Sequence, residues 1–599
     1  MSVNSFRDDE EQKEQLKRDI IARTMKYLAP HKKQIAVVLG VIGVTIGISI
    51  INPLIIERAL NVYVPMDDKH AAITGLLGLG ALALVLSVIY ILGVRFRMIK
   101  MAKISNDIIM SIRDDLYCHI HTLGFKFFDS RPTGKILARV TGDVNSLKDL
   151  LNNFVTTLIP DFLTIIVVMI VMIVKNPLLA AASLIMVPIL AGIMFVIQIF
   201  EHRRWQVFRK KGSNLNAFTH EDFSGIRVVQ SFSAEAETKK DFEQISSDYH
   251  EAFRRAVRLG DSFGPLTWGM SAIGGVLLYF LSFKLIGREG FGIGTVLAFS
   301  TYMGMFWNPI QNLANFYNQL ITNISAAERI FEILDTEPEI FDREDCSELP
   351  EIKGEVEFRD VTFSYDDDDT HVLEDVSFKV KPGETIALVG PTGAGKTTIV
   401  NLISRFYDVQ EGDILIDGHS VRDVTVASLR SQMGVMTQDN FIFSGTVREN
   451  IRYGRLDATD EEIEEAAKAT GAHEFIMQLE KGYDTELSDQ GSGLSVGQRQ
   501  LIAFARTMVS SPRILILDEA TSSIDTHTEL VVQAGIAAML KGRTSFVIAH
   551  RLSTIKRADR IFVINDNNIC EAGSHEQLMA KKGAYYELYQ AQFRSLRAG

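Results

Sequence analysis

Cysteine is scarce in this chain: Cys118, Cys346 and Cys570 are the only three among 599 residues, and they stand far apart. That excludes a disulfide framework and a cysteine-based zinc site, and leaves reduced, structural thiols. An excess of basic charge is also lacking. With 62 Lys and Arg against 74 Asp and Glu, the net charge is -12, which argues against a nucleic-acid partner, since such partners want a basic face. No cleavable signal peptide is expected, because Met1 to Asn4 leads into a run of acidic and basic residues rather than an apolar stretch. What the chain has in quantity is apolar surface. A hydrophobic share of 47% places part of it in lipid, and its length calls for two or more units.

Residues 1–34 read as a cytoplasmic amphipathic helix, with Leu16, Ile20, Ile21, Met25 and Leu28 near helical spacing up to Pro30. Six apolar runs follow, at about 35–58, 71–95, 154–174, 178–200, 264–286 and 293–316, each near the length that crosses a bilayer. Basic residues orient them. Lys32-Lys33, Arg95 to Lys103 and His202 to Lys211 fall on one side; the other has only short turns at Met66-Asp67-Asp68, Lys175-Asn176-Pro177 and Arg288-Glu289-Gly290. By the positive-inside rule the N-terminus, both long loops and the C-terminal half are cytoplasmic. Residues 35–325 are thus expected to form a six-helix transmembrane domain. Each long loop is helix-patterned but broken, at Phe128 to Gly134 and at Thr219 to Gly225. Such hairpin ends are either contact points for whatever lies beneath the membrane or plain solvated tips. Residues 326–355 are expected to be a linker, acidic and proline-containing from 335 onward. Residues 356–592 alternate short strands and helices in the manner of a soluble α/β ATPase, and 593–599 are a tail.

The chemistry centres on Gly390-Pro391-Thr392-Gly393-Ala394-Gly395-Lys396-Thr397-Thr398. It fits G-x-x-x-x-G-K-[ST] between an apolar strand pattern, Thr385 to Val389, and a helical one that continues through Ile403. Glycines let backbone N–H groups close around phosphates and the helix N-terminus adds partial positive charge, so this stretch binds a nucleoside triphosphate. Lys396 is expected to reach the β/γ-phosphates and Thr397 to take Mg²⁺. Ile514 to Leu517 is an apolar strand ending in Asp518 and Glu519. Beside a phosphate loop, Asp518 can hold Mg²⁺ and Glu519 can polarise the attacking water as general base. Thr544 to Ala549 is another buried strand pattern, which brings His550 towards the γ-phosphate. Gln438 follows Met433 to Met436 and reaches metal or water. Tyr365 ends Val361-Thr362-Phe363-Ser364-Tyr365, where it either stacks on adenine or packs in the core. Leu494-Ser495-Val496-Gly497-Gln498 opens a helical pattern and makes a second anion site.

Taken in order, the phosphate loop, Gln438, Leu494 to Gln498, Leu517-Asp518-Glu519, Ser523-Ile524-Asp525 and His550 resemble an ABC ATPase domain. Six spans ahead of it resemble a half-transporter of the type IV ABC exporter class, and the resemblance covers nearly the whole chain. It implies an all-α six-helix transmembrane domain fused to an α/β P-loop nucleotide-binding domain. It implies two chains paired head to tail, each ATP lying between one chain's phosphate loop and the other's signature. It also implies Tyr365 as the adenine-stacking aromatic, Asp525 near the nucleotide, Glu519 as catalytic base, His550 as γ-phosphate switch, and the two loop breaks as coupling helices. One departure stands out: the signature's usual first glycine is Val496, whose branched side chain resists φ > 0 and adds bulk at a phosphate contact. The segment Thr485 to Gly491 departs too. Intact hydrolytic residues beside an altered signature resemble one partner of the heterodimeric bacterial exporters; a homodimer tolerant of Val496 is the alternative.

In the last span Asn308, Asn312, Asn315 and Gln319 recur at helical spacing, with Gln311 adjacent and Phe306, Trp307 and Met305 beside them. Such a face avoids lipid, lining a cavity for apolar cargo or gluing helices together. Asp161 is the acidic residue well inside a run, and is a cation or proton contact or lies near an aqueous opening. The expectation is ATP-driven export of hydrophobic or amphipathic small molecules across the cytoplasmic membrane. The alternatives are a homodimeric lipid flippase and, from another class, a soluble ABC ATPase of DNA repair or translation.

Overall fold

The computed structural model describes residues 20, 22–285, 292–365, 371–437, 440–488, 491–518, 526–549 and 552–593. The chain divides into two compact units, Met1–Ile120 with Gly134–Asp335, and His121–Thr133 with Thr336–Gly599.

The first unit is helical: α1 (Lys32–Arg58), α2 (Lys69–Thr122), α3 (Val144–Asn153), α4 (Ile159–Lys175), α5 (Pro177–Leu184), α6 (Met186–Ser224), α7 (Glu235–Gly260), α8 (Phe263–Leu285) and α9 (Ile293–Leu334). Four stretches, Ala22–Tyr63, Lys69–Thr122, Thr133–Lys175 and Glu235–Lys284, are helical, long and apolar enough to cross a membrane; the other two apolar runs lie in α5 with the start of α6, and in the first part of α9. At 1.5 Å per residue α2 runs about 80 Å, far past a hydrocarbon core of about 30 Å. Its two halves bury opposite things. Leu77, Leu84 and Ile91 in the apolar half are 63–70% exposed, while Ile104, Ile108, Ile112 and Leu116 in the polar half are buried. A water-soluble helix would hide the first set, and lipid explains why this one does not.

Two expected boundaries shift. The run 178–200 is not one helix: α5 ends at Leu184 and α6 begins at Met186. Pro188 lacks the N–H that would bond to the Leu184 carbonyl, and its ring crowds that carbonyl. The residues expected to begin a linker, 326–334, instead finish α9, because Ala326, Ala327 and Ile330 are buried and Arg329 bonds to Asp143 at 2.8 Å. At the far end of α9 the backbones approach closely. A Cβ on Gly294 would lie 2.6 Å from the Glu57 carbonyl oxygen. The Gly294 N–H donates to Asn61 Oδ1 at 2.8 Å, Thr295 donates to Glu57 Oε1 at 3.0 Å, and Lys175 pairs with Glu57.

The second unit is built on two sheets. β1 (Val356–Phe363), β2 (Leu373–Val380) and β4 (Glu411–Ile416) are antiparallel, with β1 in the middle. The larger sheet contains β3 (Thr385–Val389), β5 (Met433–Met436), β6 (Ile514–Asp518), β7 (Thr544–Ile548), β8 (Arg560–Asn565) and β9 (Asn568–Gly573), in the spatial order β9-β8-β3-β7-β6-β5. All pairings within it are parallel except β8 with β9. Its inner strands β3, β6 and β7 are apolar on both sides, as a sheet covered on both faces demands. Alternation then sorts the side chains. Leu515 and Leu517 join one core with Leu501, Phe504 and Val532; Ile514 and Ile516 join the other with Phe358, Ile399 and Phe546.

Candidate functional site

Parallel pairing decides where the site lies. In register, Leu388 of β3 stands beside Ile548 of β7, Ile548 beside Asp518 of β6, and Leu517 beside Met436 of β5. The C-terminal ends of these strands therefore fall on one edge, with neighbours about 4.8 Å apart, the edge where open α/β sheets bind their ligands. Four sequence segments that are up to 160 residues apart, roughly, are aligned there by hydrogen bonds alone.

The phosphate loop leaves β3 on that edge and enters helix α10 (Lys396–Ile403). Gly395 is its N-cap at φ 98°, in the left-handed region. A Cβ there would come within 2.9 Å of Leu373 and 3.2 Å of the Val372 carbonyl oxygen, so both conformation and space require glycine. Lys396 Nζ donates to the Gly390 and Pro391 carbonyl oxygens at 2.9 and 2.7 Å. Burial pulls this ammonium below the usual lysine range, and the Asp518 carboxylate pushes it back up. A half-buried cation satisfied by two neutral carbonyls gains much by exchanging them for phosphate oxygens, because charge-assisted bonds are about twice as strong as neutral ones. The two threonines divide their roles. Thr397 is exposed; Thr398 is buried, and its Oγ1 lies 3.1 Å from the Tyr365 hydroxyl.

Tyr365 is held edge-on to Phe363 and Tyr407, with centroids 4.9 and 5.0 Å apart, so its ring borders the core beneath the phosphate loop. Pro391, Thr392 and Gly393 are exposed and Ala394 is half-buried. Gln438, Glu519, Asp525 and His550 lie outside the described residues.

The signature opens α11 (Val496–Val509). Ser495 is the N-cap: its Oγ accepts from the Gln498 N–H at 3.2 Å while its own N–H donates to Gln498 Oε1 at 2.9 Å. This reciprocal cap places Val496 in the first helical position, and it is not among the residues with positive φ. The expected backbone conflict at Val496 is therefore absent, since the cap demands an ordinary helical residue where a left-handed one was feared. Its bulk remains, 45% exposed at the helix start, above buried Leu494 and Gly497.

The first loop break, Phe128 to Gly134, begins in the last residues of a short helix, Phe125–Asp129, that packs within the ATPase unit. The Phe125 ring lies 4.4 Å from Phe406, the Tyr407 hydroxyl donates to Asp129 Oδ2, and Lys126 lies 3.6 Å from Glu339. Sequence reasoning located the break but missed Phe406 and Tyr407; an aromatic pair just past a phosphate-loop helix carries no local signal of a partner. The second break, near Gly225, leaves Phe223, Val228 and Phe232 between 61 and 80% exposed.

Within the helical unit Asp161 accepts from Asn312 Nδ2 at 2.9 Å, and Gln319 accepts from Asn153 at 2.9 Å. The asparagine face thus meets polar groups on α4 and α3, and Asn153 was not anticipated. Phe306, expected beside a cargo site, is 2% exposed and packs among the helices instead, because its apolar ring gains more from burial in the bundle. The side chains of Trp307, Asn308, Gln311 and Asn315 lie outside the described residues.

Comparison with known proteins agrees with this architecture. The profile of the ABC transporter transmembrane region matches residues 35–310, and that of the ABC transporter matches residues 373–522. The ABC transporter ATP-binding protein YknV of Bacillus subtilis (strain 168) is 42% identical, covering 95% of this chain and 94% of its own. The ATP-dependent lipid A-core flippase of Syntrophus aciditrophicus (strain SB) is 36% identical, covering 97% and 96%. A solved bacterial Atm1-family ABC exporter with ATP bound superposes with a TM-score of 0.76 at 27% identity, over 94% of this chain and 98% of that one. A helical membrane region fused to a phosphate-loop ATPase, matched end to end by such relatives, makes this chain a member of the ABC transporter family, an ATP-hydrolysing half-transporter of the exporter class.

Proposed function

We propose that this chain is the catalytically intact half of a heterodimeric exporter that moves hydrophobic or amphipathic small molecules out across the cytoplasmic membrane, with its N-terminus and ATPase unit in the cytoplasm. The observation that carries the pairing is Val496: a bulky side chain stands exposed at the helix start where a second chain's ATP would dock, beside a phosphate loop with every fixed position intact. The observation that supports an amphipathic cargo is the polar seam of Asp161 and Asn312 inside an otherwise apolar bundle.

In this reading the phosphate loop from Gly390 to Thr398 cradles the triphosphate, Lys396 leaves its two carbonyls for the β/γ-phosphates, and Tyr365 faces adenine. Thr397 and Asp518 are oxygen donors of the kind Mg²⁺ takes, with Gln438 as a third, and the metal when bound would neutralise charge on the phosphate oxygens. Glu519 takes a proton from water as that water attacks the γ-phosphorus. The bond to the ADP oxygen breaks, and His550 and Asp525 border the reacting group. Ser495 and Gln498 cap a helix whose N-terminus addresses the partner's ATP. Closing and opening of the paired ATPase units moves the membrane helices between inward- and outward-facing arrangements.

A second reading, a homodimeric lipid flippase, is favoured by the ordinary helical position of Val496 and by the likeness to a lipid A-core flippase. One preparation separates the readings. Native mass spectrometry of the chain, expressed alone and beside a second half-transporter, is followed by ATPase assay of wild type and Glu519→Gln. The proposal expects a stable complex only with the second half, and a loss of turnover on the order of 10²–10⁴-fold with ATP binding retained. An active homodimer would overturn the pairing, and undiminished turnover in Glu519→Gln would overturn the catalytic assignment.

A further inference from the structure

Where the apolar part of α6 ends, a cavity of about 670 Å³ opens against α7. Arg203, Arg204 and Lys211 line it from α6, and Asp248, Glu251 and Arg255 from α7. Four cations face two carboxylates. Lys211 pairs with Asp248 at 2.6 Å, and Arg255 pairs with Glu251. Arg204 gives one N–H to the Arg255 carbonyl oxygen at 2.9 Å, which leaves its charge unanswered. Among the described residues neither Arg203 nor Arg204 has a carboxylate partner. The cavity therefore keeps two neighbouring guanidinium groups with free donors, a geometry that suits phosphate oxygens.

Its height on the helix narrows the source of the phosphate. Phe200, 54% exposed, is the last large apolar residue of α6 before the basic stretch. Arg203 lies about 5 Å and Lys211 about 16 Å further along the axis, a span that begins in the headgroup layer just outside the hydrocarbon. Trp205 sits at the same level, its Nε1 donating to Glu201 at 3.1 Å and its ring packed edge-on against Phe208, as tryptophans do at membrane–water boundaries. Val207 and Ala252 give the cavity an apolar flank. The site shares no residue with the ATP site or with the Asp161–Asn312 seam.

We infer that this cavity binds the phosphate group of an anionic glycerophospholipid from the cytoplasmic leaflet. The inference rests on the reading that the first half of α6 lies in the membrane with its basic end in the cytoplasm. The test uses the full-length protein purified in detergent, with its partner chain where pairing requires one. Phosphatidylglycerol and phosphatidylcholine are titrated and bound lipid is counted by native mass spectrometry; inorganic phosphate is then tried as a competitor. Phosphatidylglycerol is expected to saturate a site that phosphatidylcholine does not. The double variant Arg203→Gln, Arg204→Gln should weaken that binding by about thirtyfold, from about 1 kcal/mol per cation at a membrane surface. Asp248→Asn, which releases Lys211, should tighten it several-fold, a change of sign that damaged folding would not produce. Lys210→Gln, which removes one positive charge outside the cavity lining, should leave it unaltered. Basal ATPase activity should be preserved in all of these variants. Equal affinity in the double variant, or equal loss with Lys210→Gln, would overturn the site. Displacement by inorganic phosphate as effective as by lipid would overturn the lipid as its source. Release of the chain from membranes without detergent would overturn the membrane reading instead, independently of any lipid count.

Discussion

The two hairpin tips end in opposite conditions. The first, Phe125–Asp129, is finished within the chain: Phe125 lies on Phe406, Asp129 takes the Tyr407 hydroxyl, and Arg430 stands 4.8 Å over the Phe406 ring. The second carries Phe223, Val228 and Phe232, three large apolar side chains 61–80% exposed within a few residues. A single chain thus covers one of its two tips and leaves the other as bare apolar surface, which is costly in water unless something covers it. Exporters of this family work as two halves, and an exposed apolar patch of this kind is the sort of surface that takes part in protein contacts.

The largest effect expected from breaking that contrast is at the uncovered tip. Phe223→Asp with Phe232→Asp should lower cargo transport and cargo-stimulated ATPase at least tenfold in proteoliposomes, because it puts two charges on an apolar patch that any covering surface would have to desolvate. The thermal unfolding of the isolated chain should barely move, since exposed positions contribute little to stability. At the finished tip the order reverses, and stability is what suffers. Phe406→Ala, which strips the ring from between Phe125 and Arg430, should cost about 2 kcal/mol by denaturant unfolding of the full chain. Tyr407→Phe removes only the bond to Asp129 and should cost about 1 kcal/mol.

That last contribution also depends on pH in a stated direction. Burial first, and the Asp129 carboxylate next, push the Tyr407 hydroxyl above the ordinary tyrosine range. A group whose pKa is raised on folding stabilises the fold below its unfolded pKa and loses that contribution as pH rises through the folded one. The difference between wild type and Tyr407→Phe should hold up to about pH 10 and fade above it, as followed by unfolding at stepped pH. The smallest effect belongs to Lys126→Ala. It breaks an ion pair with Glu339 whose two side chains are 39% and 47% exposed, and a few tenths of a kcal/mol is all that such a pair contributes. A loss of several kcal/mol there would mean that the tip is held electrostatically rather than by its rings.

Much of the ATPase unit was legible because its signals are local. The loop from Gly390 to Thr398 carries strand, turn and helix in one short stretch, and Gly395 is needed for a left-handed cap that no other residue fills easily. Val496 was misread at the same local level: a glycine-like backbone was assumed, whereas Ser495 and Gln498 cap the helix reciprocally and ask for an ordinary residue between them. Hydropathy located the apolar runs but not the break at Ile185, since Pro188 is apolar enough to vanish in an average while it removes a backbone donor. Residues 326–334 lie beyond the last long apolar run and carry Glu328, Arg329 and Glu332, which concealed a buried helical face that continues α9.

By itself the sequence determined the fold class, the phosphate loop and the order of the nucleotide-binding motifs, because those depend on periodicity and on backbone geometry over a few neighbouring residues. Tertiary structure alone decided which distant groups meet. Tyr407 finds Asp129 across 278 positions and Asn312 finds Asp161 across 151. Arg203 and Arg204 are left without carboxylates only because α7 answers Lys211 and Arg255 and no others in the cavity between them. A polar side chain carries no mark of its partner; the packing of apolar faces sets the distance, and only then does charge or hydrogen bonding choose which pairs form.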